Sequence, residues 1–112
     1  MNEYQRSELV ELIDRYSGKD GIHNTAIPGV WCIRSSSPSM KMPVVYNPSL
    51  CVIVQGKKEV MLEDEIYRYV PSEYLVASVD LPVTGQVTEA TPERPYLSIQ
   101  IDIDPNNLSE LI

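Results

Sequence analysis

Between Gly21 and Ile103 turn-forming residues interrupt the chain again and again: Gly21, Pro28-Gly29, Ser35-Ser36-Ser37-Pro38, Asn47-Pro48, Gly56, Glu63-Asp64, Pro71-Ser72, Leu81-Pro82, Gly85 and Pro92. No long helix survives such punctuation. Proline removes a backbone donor and fixes φ, and glycine weakens a helix interior. The intervening runs are rich in Val, Ile and Tyr. Short β-branched and aromatic runs at this spacing predict an all-β sandwich or barrel. The clearest stretch is Leu50 to Gln55, a turn at Gly56-Lys57, Lys58 to Glu63, a turn at Glu63-Asp64-Glu65, then Ile66 to Val70. It reads as a meander of antiparallel strands. Tyr96 to Ile103 alternates cleanly, with Leu97, Ile99, Ile101 and Ile103 on one face and Ser98, Gln100 and Asp102 on the other. That pattern predicts a strand with one apolar side.

The flanks follow a different period. Leu9, Leu12, Ile13 and Tyr16 recur at helical spacing, so Glu3 to Arg15 is predicted helical, with Gly18 as a natural stop. At the other end Asp104 suits an N-cap and Pro105 a first helical position, ahead of Leu108, Leu111 and Ile112. A helix of two turns is marginal by itself, so either it docks on the barrel or the natural polypeptide continues, and continuation is expected. A chain of 112 residues suits one domain. The expected organisation is an N-terminal helix over 1–18, a β-barrel over 21–103 and the start of a C-terminal helix over 104–112.

Charge and composition exclude several functions. The net charge is −7, and the longest basic run is Lys57-Lys58, followed at once by Glu59. Nucleic-acid binding requires a basic patch against the phosphates, so this segment is not expected to bind DNA by itself. The N-terminus lacks an apolar signal core, and no apolar run approaches membrane-spanning length. A soluble, cytoplasmic protein is expected. Cys32 and Cys51 each sit in an apolar, strand-like run and are expected to be buried, reduced thiols. A lone histidine, His23, cannot build a clustered metal site and is expected to make ordinary hydrogen bonds at a loop or strand edge. Neither thiol has another histidine to activate it, and Glu63, Asp64 and Glu65 occupy a solvated turn. No metal, no cofactor and no catalytic residue is expected, and the chain is read as a non-enzyme.

A binding module remains. Polar side chains inside a small barrel mark a pocket. The candidates are Trp31, Arg34, Tyr46, Gln55 and Tyr69. Trp31 shares a face with Ile33, and Arg34 falls on the opposite face with Cys32. Gln55 has the parity of Cys51 and Ile53. Each has a plain alternative, with Arg34 reaching solvent and the tyrosines packing with their hydroxyls outward.

Several blocks together resemble a known family. Asp20 to Gly29 opens the β region, followed by Tyr46-Asn47-Pro48-Ser49-Leu50-Cys51-Val52-Ile53-Val54-Gln55-Gly56-Lys57-Lys58. Then come Tyr67-Arg68-Tyr69, Tyr74-Leu75-Val76, the block Ser78 to Val87, and Pro95-Tyr96-Leu97. In this order they resemble the N-terminal domain of a branch of the AraC-type (AraC/XylS) transcriptional regulators, over nearly the whole chain. The resemblance implies a mainly β fold, a cupin-like antiparallel β-barrel of jelly-roll type, followed by helices that mediate dimerisation. It implies a domain that senses a small-molecule effector, forms a homodimer in the full-length protein, and contacts DNA only through a C-terminal helix-turn-helix domain absent here. The metal-binding histidines of enzymatic cupins are also absent. The alternatives are a ligand-free dimerisation or interaction module and a small cupin-type enzyme.

Overall fold

The computed structural model describes residues 2–16 and 18–103. The helix expected to start at 104 lies outside the described residues. Helix α1 (Glu3–Tyr16) precedes strands β1 (Gly21–Asn24), β2 (Val30–Ser35), β3 (Met42–Tyr46), β4 (Ser49–Gln55), β5 (Lys57–Leu62), β6 (Glu65–Tyr69), β7 (Tyr74–Ala77), β8 (Leu81–Glu89) and β9 (Tyr96–Asp102). The strands form two antiparallel sheets, of order β1-β2-β9-β4-β7 and β3-β8-β5-β6. Two such sheets pack face to face, as the punctuation predicted.

Asn2 caps α1. Its Oδ1 accepts the Gln5 N–H at 2.8 Å while Gln5 Oε1 accepts the Asn2 N–H at 3.1 Å. This reciprocal pair satisfies two donors that a helix start leaves open. Ile13, only 1% exposed, drives α1 onto the five-stranded sheet, where it joins Cys32, Val54 and Leu97. Leu9, Val10 and Ile99 pack around them, whereas Leu12 stays 47% exposed.

The expected meander is half right. β5 and β6 pair, from Lys58–Tyr69 to Leu62–Glu65. β4 and β5 do not pair, because the chain changes sheets between them. β4 carries apolar residues on both faces, with Cys51 and Ile53 inward and Val54 outward against α1. A strand like this needs cover on both sides, so it sits inside the helix-backed sheet. The corner is Gly56, at φ +82. The turns expected at Leu81-Pro82 and Gly85 are absent too, since β8 runs straight through both. The last β5–β8 pair is Met61 with Thr84, so at Pro82 that ladder has already ended and proline removes no bond there.

The alternation of β9 is as expected, but its orientation reverses the usual arrangement. The apolar Leu97 and Ile99 face outward, under α1, and Tyr96 and Ser98 face the interior between the sheets. His23 lies on the edge strand β1, its Nε2 2.7 Å from the Lys19 carbonyl. Both cysteines are free and buried. Cys32 packs under α1 and Cys51 in the interior. Burial pushes the Cys32 thiol above its ordinary range. No helix among the described residues is long and apolar enough to cross a membrane.

A Cβ at Gly56 would stand 2.6 Å from the Glu89 carbonyl oxygen and 2.9 Å from Tyr96 Cα, both backbone atoms. Gly56→Ala is therefore expected to destabilise the fold by at least ~2 kcal/mol, from the left-handed backbone and the clash together. Denaturant unfolding measures this, and a loss well under 1 kcal/mol would show that the corner relaxes freely.

Candidate functional site

A cavity of about 330 Å³ is lined by residues of both sheets, including their edge strands β1 and β3. Ile22 and Ile33 supply apolar wall from one sheet, and Met42, Val44 and Val87 from the other. Gly85 also lines it, with no atom nearer than 3.9 Å to where its Cβ would stand. The missing side chain leaves room that a larger residue would fill.

The polar lining includes Lys58, Tyr46, Tyr96 and Gln100. β5 leaves the Gly56 corner with Lys57 outward, 3.3 Å from Glu89, and Lys58 inward on the face of Val60. Lys58 Nζ stands 4.8 Å from the centroid of the Tyr46 ring, a cation–π contact. Tyr69 is its cross-strand neighbour, and Tyr96 lines the same cavity. Among the described residues no carboxylate lies within ion-pair distance of Lys58. Burial alone works against its ammonium, but Tyr96, Tyr46 and Cys51 outweigh that effect and hold Lys58 above the ordinary lysine range. Lys58 is charged at neutral pH.

Tyr96 is 1% exposed, and its hydroxyl and that of Ser98 are buried without a hydrogen-bond partner. The two hydroxyls interact electrostatically but fall short of hydrogen-bond geometry. Burial pushes the Tyr96 hydroxyl up to about 12, and the neighbouring Lys58 opposes that shift. Burial, then proximity to Tyr46, also pushes Tyr69 upward.

Of the five residues singled out from the sequence, the structure brings two together here. Tyr46 is buried against Val60, Ala77 and Val83, and Tyr69 packs beside it. Trp31 lies across from Gln100, and its indole N–H donates to Asp102 Oδ2 at 3.1 Å near the end of β9. Gln55 is buried by the Gly56 corner, where its Nε2 donates to the Pro95 carbonyl at 2.9 Å. Arg34 is on the outer face, bonded to Asp14 of α1 at 2.6 Å and 3.9 Å from Asp20. The Ser36 hydroxyl, more than Arg34, holds Asp20 below the usual carboxylate range. The sequence reading missed Lys58, Tyr96 and Gln100. Lys58 shares the parity of Val60 and Leu62, a signal hidden by its place in a short basic run.

Among the described residues no three His, Cys, Asp or Glu side chains gather as metal ligands. The cavity lining contains no Asp, Glu or His.

Comparison with known proteins agrees with this architecture. A family model described as the AraC-type transcriptional regulator N-terminus matches residues 26–112. No curated protein matches the chain. Among solved structures, a cupin superfamily protein from Desulfitobacterium hafniense superposes with a TM-score of 0.53 at 13% identity, covering 82% of this chain and 88% of that one. A cupin-2 domain protein from Shewanella frigidimarina gives 0.52 at 7% identity, covering 92% and 94%. Drosophila melanogaster CENP-C bound to CAL1 gives 0.54 at 13% identity, covering 88% and 98%. At these identities the likeness establishes a cupin fold.

The buried hydroxyl gives a prediction of unusual sign. Tyr→Phe substitutions in a core ordinarily cost a hydrogen bond, but Tyr96→Phe removes a buried group that has none. It is expected to stabilise the ligand-free chain by about 1 kcal/mol, raising Tm by roughly 4–8 °C. Because the folded-state value of Tyr96 is raised, its contribution is complete below the ordinary tyrosine range and is lost as pH rises from about 10 to about 12. Tyr96→Phe should flatten that alkaline loss. A lower Tm for the variant, or an unchanged alkaline slope, would contradict the placement of the hydroxyl.

Proposed function

Because the chain belongs to the family of AraC-type transcriptional regulator N-termini, we propose that it receives the regulator's signal by binding a small-molecule effector between its two sheets. The observation that carries this reading is the cavity, whose lining includes Lys58 and Tyr96, the latter with a buried hydroxyl that has no partner. A purely structural interior would be filled with apolar side chains at crystal-like density. An inward lysine and a glycine that leaves space work against stability, as sites kept for binding do. Binding is favoured over turnover because the lining has no carboxylate or histidine, the side chains that most often move protons near neutral pH.

Transmission runs through a wall one strand thick. On β9, Tyr96 and Gln100 line the cavity while Leu97 and Ile99 pack under α1. On β2, Ile33 lines the cavity while Cys32 packs against Ile13 and Arg34 bonds Asp14. A ligand that moves these strands alters the seat of α1 and biases two arrangements of it. In the whole regulator that shift would act on a homodimer and on a separate helix-turn-helix domain that grips DNA.

A metabolite library screened by thermal shift tests this. A ligand at a hundredfold its Kd is expected to add about 2.7 kcal/mol and raise Tm on the order of 10 °C. It should also change amide exchange in α1. Gly85→Val should fold and abolish the shift by filling the cavity. A library without a single Gly85-sensitive hit would count against the sensing role.

A further inference from the structure

The sensing reading leaves the ligand's chemistry open, and the cavity narrows it. The chain has 16 acidic and 9 basic residues, yet the cavity lining holds one cation and no acid. The basic side chains that form ion pairs with carboxylates stand outside this lining: Arg6 with Glu3, Arg34 with Asp14, Lys57 with Glu89, Arg68 with Glu59. The Lys58 ammonium faces a tyrosine ring and hydroxyl groups but no carboxylate, so an incoming anion would be its first full counter-charge. Independently, the Tyr96 hydroxyl is a buried donor without an acceptor beside that ammonium. One negatively charged oxygen acceptor would pair with the ammonium and accept from that hydroxyl.

Resting on the sensing role above, we propose that the effector is a compact organic monocarboxylate, its carboxylate seated on Lys58 and Tyr96 and its hydrocarbon body along Ile33, Val44 and Val87. One lysine matches one negative charge, and a phosphate dianion would leave charge uncompensated against apolar wall. The size follows from the cavity: about 330 Å³ lies at the small end of ligand pockets, which run from about 300 to about 1,000 Å³. The overall negative charge does not forbid entry, because exposed charges are screened beyond about 8 Å at physiological salt.

The test is an NMR titration of the isotopically labelled 112-residue chain with hexanoate and with its neutral isostere hexanamide. Hexanoate is expected to shift cavity residues and to bind at least ~10-fold more tightly than hexanamide. Lys58→Met should weaken hexanoate at least ~10-fold, while Lys58→Arg retains most of the affinity. Tyr96→Phe should weaken hexanoate although that variant is the more stable protein, a combination that general destabilisation cannot produce. If hexanamide binds as well as hexanoate, if Lys58→Met leaves hexanoate binding intact, or if hexanoate does not bind, the carboxylate assignment is overturned. The sensing role then still stands if a neutral compound binds the cavity and is blocked by Gly85→Val. If no compound of either charge is so blocked, both fall together.

Discussion

The fold depends on covering the five-stranded sheet from both sides. Its central strands β4 and β9 place apolar residues outward as well as inward, with Val54 and Leu97 fully buried on one face and Cys51 and Ile53 on the other. The second sheet covers the inner face. Only α1 is available, among the described residues, for the outer one. The dependence is mutual, since a helix of 14 residues is marginal in isolation. Burying Ile13 is worth roughly 2–3 kcal/mol. The Arg34–Asp14 pair, with Asp14 half exposed, adds at most ~1 kcal/mol. Apolar burial therefore seats the helix, and the ion pair chooses its orientation.

The interior is built to a different standard. Close packing would fill the space over Gly85 and replace Lys58 with an apolar residue, and neither has happened. A buried donor without an acceptor costs about 1–3 kcal/mol, a large part of the margin of a small domain. The polar groups and the free volume occur in one cavity, whose lining includes Tyr46, Lys58, Gly85 and Tyr96. Random imperfection would scatter them. Concentrated in one cavity, they describe a surface whose complement is another molecule.

Much of this was legible from the residues. Glycine and proline punctuation specified short strands, the period of Leu9 and Ile13 specified a helix, and the alternation of β9 specified two unlike faces. What alternation cannot say is which face points inward. Convention puts the apolar face inside, but Leu97 and Ile99 are covered by a helix from another part of the chain, so the polar face of β9 turns to the interior. The same ambiguity separated the candidates. Tyr46 and Tyr69 were placed together by the opposing sheet, whereas Arg34 follows Cys32 to the helix side. Lys58 was obscured because its direction is set by the corner at Gly56, and that corner depends on Glu89 and Tyr96 approaching from distant strands. The family resemblance supplied the cupin fold and could not supply these orientations.

The covering of one sheet on both faces also joins the two standards of construction. Because residues alternate, a strand that lines the cavity with Tyr96 and Gln100 necessarily presents Leu97 and Ile99 to α1, with no intervening layer. A ligand can shift a conformational equilibrium only by as much as its affinities for the two states differ. The seat of α1 rests on one fully buried side chain, Ile13, with partly buried Leu9 and Val10 beside it. That amounts to a few kcal/mol, a sum that differential binding of a small ligand can match. A helix buried on all sides would be beyond the reach of such a ligand, and one held only by Arg34 would move without it. The docking of α1 lies between these limits, which gives a compact ligand inside the sheets a means of acting on a helix outside them.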